Sequence, residues 1–148
     1  MSATNAFETS LLQHIFQNAA IANIGDATGL PASATAGSLF VSLHTADPGE
    51  AGAQNTSEAA YTGYARQAVA RSGAGWTVSG NNASNAAAVA FGPCTSGSAT
   101  ITHFGIGTAS SGAGNLLFKG ALTASISVTT SSNATQTFAI GALDVDVD

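Results

Sequence analysis

The sequence predicts a mostly β fold: an antiparallel two-sheet sandwich, jelly-roll-like in connectivity, preceded by an N-terminal α-helix. Short apolar segments alternate with Gly-, Pro- and Asn-rich turns at intervals of roughly 8–12 residues, a pattern typical of sandwiches and barrels. A single stretch near the N-terminus has the spacing of an amphipathic helix. We therefore expect an N-terminal helical arm and linker over residues 1–38 and a β-sandwich domain over residues 39–148.

The helix is predicted over residues 5–24, where apolar side chains recur at three- and four-residue spacing. Asn5, with Glu8 three positions later, is typical of a capping box, and Gly25 is a natural helix end. Two interpretations remain open for the apolar face. It packs either on the core of its own domain or on a neighbouring subunit. The residues of this face are Phe7, Leu11, Leu12, Ile15 and Phe16.

The predicted strands share alternating or continuous apolar residues bounded by turn signals. Leu39, Val41 and Leu43 are expected to face the core, and Phe40 indicates that the second face is partly covered. The apolar run at 116–118 predicts a central strand that is buried on both sides. Turns are predicted at 79–84 and 131–134. The strand segments are 39–44, 65–70, 76–78, 86–91, 101–108, 116–118, 124–129, 137–140 and 143–148.

Charged side chains are unusually scarce. They make up 7% of the 148 residues, whereas globular domains typically contain about 25%. A soluble monomer normally has a well-charged surface. The scarcity therefore indicates either neutral surfaces that partners cover or a surface kept soluble by Ser, Thr, Asn and Gly.

The net charge of −5 excludes several classes of partner. Arg66, Arg71 and Lys119 are too few and too scattered to neutralise a run of phosphates, so we expect neither nucleic-acid nor membrane binding. Apolar runs are shorter than the roughly 18–20 residues of a spanning helix, and the N-terminus does not have the pattern of a secretory signal. Cys94 alone forms no disulfide framework or cysteine zinc site, which fits synthesis in a reducing cytoplasm.

The ionisable residues predict no catalytic residue, cofactor or metal site. Asp144, Asp146 and Asp148 alternate along one strand face, where a flat row of carboxylates cannot wrap a calcium ion. The acids of the loop after residue 46 are unsupported by packing, and the loop is expected to be exposed and mobile. The histidines, interpreted as structural, are His14, His44 and His103.

One aromatic–basic cluster leaves two interpretations open. Tyr61, Tyr64 and Trp76 lie near Arg66 and Arg71 in sequence. They form either a sugar- or protein-binding patch or, alternatively, Trp76 and one tyrosine belong to the core with the other tyrosine at the rim.

Four segments carry a family resemblance: SLHTADPGEAG at 42–52, YTGYARQAVAR at 61–71, ITHFGIGTASSGAGNLLFKGALT at 101–123 and TFAIGALDVDVD at 137–148. The sequence is similar to small virion structural proteins of tailed bacteriophages, which are described as head decoration (cement) proteins or as tail-fibre-like proteins. The resemblance implies an all-β component of the virion that has no enzymatic activity.

The leading hypothesis is a capsid decoration protein. It binds the major capsid protein on the outer head surface, stabilises the head, and forms a homo-oligomer, either a trimer or a dimer. The alternative is a tail-fibre or tail-associated protein that binds a receptor or glycan. The residues predicted to contact partners are Phe7, Leu11, Leu12, Ile15, Phe16, Asp47, Glu50, Glu58, Tyr61, Tyr64 and Arg66.

Overall fold

The computed structural model describes residues 2–131 and 135–147 and confirms the fold class. The predicted turn at 131–134 lies largely outside the described residues, as does Asp148. Over the described ranges the chain forms one helix and nine strands. These are α1 (Asn5–Gln17), β1 (Ser38–His44), β2 (Gln67–Ala70), β3 (Trp76–Ser79), β4 (Asn82–Asn85), β5 (Val89–Ala90), β6 (Ser98–Gly107), β7 (Leu116–Thr129), β8 (Thr137–Phe138) and β9 (Asp144–Asp146).

The strands form three open sheets. The first has the order β2-β1-β6-β7, the second β3-β4-β9 and the third β5-β8. Neighbouring strands run antiparallel in four pairs: β1 with β6, β6 with β7, β3 with β4, and β4 with β9. No sheet closes on itself within the described part of the chain, so these strands do not form a closed barrel. The jelly-roll connectivity stays a prediction.

The backbone contacts divide the chain into two compact units. One contains residues 1–38, 69–89 and 138–148, and the other contains residues 39–68 and 90–137. The predicted division into domains at residue 38 stays a prediction. Each unit is described by itself below.

In the first unit, α1 ends at Gln17 and not at residue 24 as predicted. Asn18 adopts the left-handed conformation (φ 56°, ψ 32°), and the Ala19 N–H donates to the Gln13 carbonyl. Asparagine tolerates this conformation and ends helices much as glycine does. The predicted capping box is also wrong, because Thr4 is the N-cap and makes no side-chain cap hydrogen bond.

The apolar side chains of α1 fall on two adjacent stripes. Leu12 and Phe16 are fully buried, and the Phe16 ring lies 4.7 Å from the Trp76 ring between centroids. Phe7 is 43% exposed, while Leu11 and Ile15 are half-buried. The helix therefore packs on its own chain along one stripe and leaves the other stripe partly open.

Arg71 holds the C-terminal end of α1. Its guanidinium donates to the carbonyls of Ile15 (2.6 Å), His14 (2.6 Å) and Ala36 (3.1 Å). The last carbonyls of a helix have no partner within the helix, and a cation there is also favoured by the helix dipole. Arg71 thus satisfies backbone groups that the end of α1 would otherwise leave open.

The predicted turn at 79–84 is wrong, because Asn82–Asn85 is strand β4. Ala83 and Asn85 point inward and are 0% and 1% exposed. The buried Asn85 amide donates to the Ala139 carbonyl at 2.8 Å and accepts from the Leu143 N–H at 2.9 Å. Asparagine is therefore tolerated in this strand because its polar atoms are satisfied.

In the second unit, β1 is an interior strand, between β2 and β6. Leu39, Val41 and Leu43 are buried as predicted, with at most 4% exposure. Ser42 and His44, on the other face, are 0% exposed. The prediction that the second face of this strand is partly covered is confirmed, with Phe40 on the same face half-buried.

The segments predicted as two strands at 116–118 and 124–129 form one strand, β7, at the end of its sheet. The prediction of a central strand at 116–118 is wrong: Leu117 is 42% exposed. It is the extra residue at a register shift, because Phe118 opposes Ile106 while Leu116 opposes Gly107. A run of apolar residues cannot distinguish this edge position from a central one.

Candidate functional site

Arg66, predicted to contact a partner, is the centre of a buried ion pair in the second unit. Its side chain is 2% exposed. The guanidinium binds the Glu58 carboxylate through Nε–Oε1 and Nη2–Oε2, each at 2.7 Å. It also donates to the carbonyls of Ala109 at 2.9 Å and Gly112 at 2.6 Å. The planar fork of arginine suits this two-pronged contact, which joins the 58–66 segment to the 109–112 turn.

Tyr64 completes the cluster around Glu58. Its hydroxyl donates to Glu58 Oε1 at 2.8 Å and accepts the Leu43 N–H at 3.1 Å, so it links the ion pair to β1. The ring stacks on Phe91 with centroids 6.0 Å apart and meets Tyr61 edge-on at 5.5 Å. Burial raises the pKa of the Tyr64 phenol well above its usual range.

The loop after Asp47 is held in place, contrary to the predicted mobility. Gln54 is 0% exposed. Its backbone N–H donates to the Ala113 carbonyl at 2.8 Å, its side-chain amide donates to the Phe40 carbonyl at 2.9 Å, and its Oε1 accepts the Ala109 N–H at 3.1 Å. A side chain at Gly107 would overlap the Gln54 amide, so glycine is required there. The loop is pinned to β1 and to the turn between β6 and β7.

Lys119 forms an exposed ion triad on β7. Its ammonium lies 3.1 Å from Asp47 Oδ1 and 3.0 Å from Glu50 Oε1. The two carboxylates raise the pKa of Lys119, Glu50 first. The Gly49 N–H, followed by Lys119, lowers the pKa of Asp47. Together with Arg66 and Arg71, each of the three lysine and arginine residues of the sequence is bonded within the chain.

Ser42 and His44 have the contacts of a nucleophile and its base. Ser42 Oγ and His44 Nε2 are 2.8 Å apart, and His44 Nδ1 lies 2.8 Å from the Thr56 carbonyl oxygen. The carbonyl can only accept, so Nδ1 carries the proton and Nε2 accepts the serine hydroxyl. Both side chains are 0% exposed, and no substrate can reach them in this conformation. The pair therefore ties the loop to β1.

The predicted partner contacts differ in accessibility. Phe7, Asp47 and Glu50 are exposed, and Leu11, Ile15, Glu58 and Tyr64 are half-buried. The remaining four are buried and cannot reach a partner while the chain keeps this fold; they are Leu12, Phe16, Tyr61 and Arg66.

The structure brings the predicted residues into two clusters in the second unit. Glu58, Tyr64 and Arg66 form one, and Asp47 and Glu50 join Lys119 in the other. Trp76 belongs to the core of the first unit and Tyr61 to the core of the second, with Tyr64 at the rim. The core interpretation of the aromatic residues is thus confirmed.

Sequence reasoning missed Gln54, the Ser42–His44 pair and the pairing of Asp47 and Glu50 with Lys119. The ion pairs could have been predicted from composition. The chain has only three lysine and arginine residues, and one loop contains three acids that can pair with them. Gln54 gave no signal, because a single glutamine in a polar loop looks exposed. Within residues 2–131 and 135–147, no group of three or more His, Cys, Asp or Glu side chains could hold a metal ion. No helix in those ranges is long and apolar enough to cross a membrane.

A β-rich fold whose few cations are bonded internally suits a structural subunit of a particle. The chain belongs to the family described as Podophage GP4 fiber I protein gp80, whose model matches residues 2–146. This is a family of phage virion structural proteins, so the protein is a component of the phage particle, and the predicted resemblance and virion location are confirmed. The match includes the N-terminal helix, which lay outside the resemblance. No curated protein matches the chain.

Replacing Arg66 tests the buried ion pair. Arg66→Met leaves the Glu58 carboxylate without its partner, and the free energy of unfolding should fall by about 3 kcal/mol in urea denaturation. The double variant Glu58→Gln/Arg66→Met removes both charges and should lose less than Arg66→Met. A single variant as stable as the wild type would contradict this role.

The buried His44 predicts a pH-dependent stability. Burial lowers the pKa of its imidazole and is the largest effect. Thr56 and Glu58 raise this pKa by less, and Arg66 and His103 lower it slightly further. The unfolded chain then binds more protons than the folded one below the ordinary pKa of about 6.5. The contribution of neutral His44 to the free energy of unfolding is fully present above the ordinary pKa. It is lost as the pH falls from there towards the lower pKa of His44 in the folded state.

The measurement is urea unfolding at pH values from about 7.5 to about 5.5, a range where histidine titrates. His44→Gln keeps a donor for Thr56 and an acceptor for Ser42 but cannot be protonated. Its stability should fall less steeply over this range than that of the wild type. Equal slopes for the two proteins would refute the assignment.

Proposed function

We propose that the protein is a structural subunit of the phage fibre, that it has no enzymatic activity, and that its role is mechanical. The family description, which names a fiber protein, supports this role over others. Capsid decoration, which the sequence favoured, remains a prediction, as does the major capsid protein as partner.

The observation that carries the proposal is the internal use of the charged side chains. Arg66 and Arg71 donate to carbonyls and carboxylates inside their own units, and Lys119 binds two acids of its own loop. With charges at only 7% of the chain, much of the outer surface is built from neutral side chains. Such a surface is suited to contact with other subunits, because little charge has to be removed from water when the subunits meet.

Strand β7 is the surface we propose for contact between copies. It is 14 residues long and lies at the end of its sheet. Exposed edge strands are usually short or carry charges and prolines that prevent pairing. Lys119 is the only charged residue of β7 and is bonded to Asp47 and Glu50; the strand has no proline.

The second half of β7 is the part best suited to pairing. The Leu117 bulge and a second irregularity between Ala121 and Ile126 interrupt the first half, whereas residues 126–129 pair regularly with β6. Copies that each carry a net charge of −5 approach with least repulsion where both surfaces are uncharged. A second copy is therefore the occupant that we propose for this edge, giving a homo-oligomer.

The absence of enzymatic activity is supported by the state of the reactive groups. Ser42 and His44 are fully buried, and Glu58 is bonded to Arg66. Glycan recognition loses support, because Trp76 and Tyr61 are buried and offer no ring face to a sugar.

A lysine placed on the β7 edge tests the proposal. Ser127 is exposed in the regularly paired half of β7, so Ser127→Lys brings like charges together when two copies pair there. We expect its self-association to weaken by roughly tenfold or more in analytical ultracentrifugation. The matched control is Thr100→Lys, which adds the same charge at the cross-strand neighbour on β6 and should associate like the wild type.

Two outcomes would contradict the proposal. A wild-type protein that stays monomeric over the micromolar to millimolar range would remove the homo-oligomer. Equal association of the wild type and Ser127→Lys would show that copies meet at a different surface.

A further inference from the structure

The sheet that ends in β7 has a second edge, strand β2 (Gln67–Ala70). This strand contains neither a charged residue nor a proline. Within the described part of the chain, the backbone groups of residues 67–69 make no hydrogen bond outside the sheet, whereas the Ala70 carbonyl accepts the Ser72 N–H at 2.9 Å. The open part of the edge is therefore residues 67–69, with the exposed Ala68 at its centre.

The edges of the other two sheets are protected by means that natural edge strands use. Strand β9 carries Asp144 and Asp146, whose charges oppose pairing with a second acidic copy. At the opposite edge, on β3, the Trp76 N–H donates to the Ser72 carbonyl at 2.9 Å, and the Trp76 carbonyl accepts the Gln17 amide of α1 at 2.8 Å. Strands β5 and β8 have only two residues each. Strand β2 has no protecting charge and no covering helix contact of this kind.

The cations that flank β2 are bonded within the chain. Arg66 precedes the strand and Arg71 follows it, and charges near an edge normally oppose the pairing of two copies. The Arg66 side chain is 2% exposed and is bonded to Glu58. The Arg71 guanidinium is bonded to the carbonyls of His14 and Ile15. Two β2 strands can therefore approach without free like charges between them.

The side chains of β2 suit pairing with a second copy of the same strand. Val69 is buried, and its neighbour Ala68 is small and exposed. Because successive side chains point to opposite faces, two copies related by a twofold axis would place both valines on the buried face and both alanines on the outer face. Such a contact is isologous, since each copy offers the same surface. The unpaired N–H and C=O groups of an edge are satisfied by another strand.

The contact proposed above through β7 leaves β2 open. When two four-stranded sheets join at β7, strand β2 lies at both ends of the combined sheet. A single twofold contact closes at the dimer. A second twofold contact, at the opposite edge of the sheet, joins each dimer to others, so that assembly continues past the dimer as a fibre requires.

We propose that β2 pairs with β2 of another copy and that this second contact extends β7-linked dimers into longer assemblies. The proposal rests on the function proposed above, because it needs both the β7 contact and a structural role in a fibre. Strand β2 has 4 residues and β7 has 14, so the β2 contact is the smaller and weaker of the two. We expect dimers to form first as the protein concentration rises, and longer assemblies to follow.

Charges placed at the two edges test the proposal in sedimentation-velocity ultracentrifugation. Ala68→Lys brings like charges together at the β2 contact and leaves β7 unchanged. Its dissociation constant for growth beyond the dimer should rise by at least about tenfold, while dimers form as in the wild type. Ser127→Lys should form dimers through β2 and nothing larger, and the double variant should be monomeric. The matched control is Ala60→Lys, the same substitution at an exposed position outside the strands, which should assemble like the wild type.

A second variant with the opposite charge makes the result specific to pairing. Ala68→Glu alone should also stop at the dimer. An equimolar mixture of Ala68→Lys and Ala68→Glu should grow beyond the dimer again, because opposite charges then meet across the contact. Both variants should keep the wild-type circular dichroism spectrum and melting temperature, which excludes misfolding as the cause of lost assembly.

Three results would overturn the proposal: wild-type assembly that stops at the dimer, growth of Ala68→Lys like that of the wild type, or a mixture of the two Ala68 variants that remains dimeric. Failure of the β7 contact is distinguishable from failure of β2. Ser127→Lys that assembles like the wild type would refute the contact through β7, whereas an effect of Ser127→Lys without any effect of Ala68→Lys would refute β2 alone. A monomeric wild type would refute both contacts.

Discussion

The structure of the second unit depends on one buried cation. Arg66 is removed from water, and its guanidinium must therefore find partners for its N–H groups inside the protein. Glu58 supplies the charge, and the carbonyls of Ala109 and Gly112 supply further acceptors. Because Tyr64 also binds Glu58 and receives the Leu43 N–H, this pair connects the loop, the β6–β7 turn and β1. The loop is also attached to β1 through the Ala59 N–H, which donates to the Leu43 carbonyl, and through Gln54 and His44.

The same use of charge recurs elsewhere in the chain. Arg71 closes the end of α1 in the first unit, and Lys119 fastens two acids of the loop to β7 in the second. The chain has only three lysine and arginine residues, and each of them binds groups of its own fold. The consequence is a surface that does not attract polyanions and is built largely from neutral side chains, which suits a subunit of a virus particle.

The features of the fold that depend on local sequence pattern were predicted correctly. The alternation in β1 identified its buried face, and the turn residues placed most of the strands. Helix α1 was found, but its end was missed because Asn18 ends it through a backbone conformation and not through a glycine. Strand β4 was missed because its inward polar residue, Asn85, is satisfied by groups more than fifty residues away. The apolar run in β7 was recognised, but position at an edge is set by which strand lies beside it.

The candidate site was harder to predict because its groups come from segments that are distant in sequence. Glu58 and Arg66 are eight residues apart, yet the carbonyls that complete the cluster come from residues 109 and 112. Hydrogen–deuterium exchange tests this account most directly. The N–H groups of Thr45, Gln54 and Ala59 donate to Ser57, Ala113 and Leu43 respectively, so they should exchange nearly as slowly as those of β1. Exchange of these amides at the rate of an unstructured peptide would show that the loop is not pinned and would contradict the account.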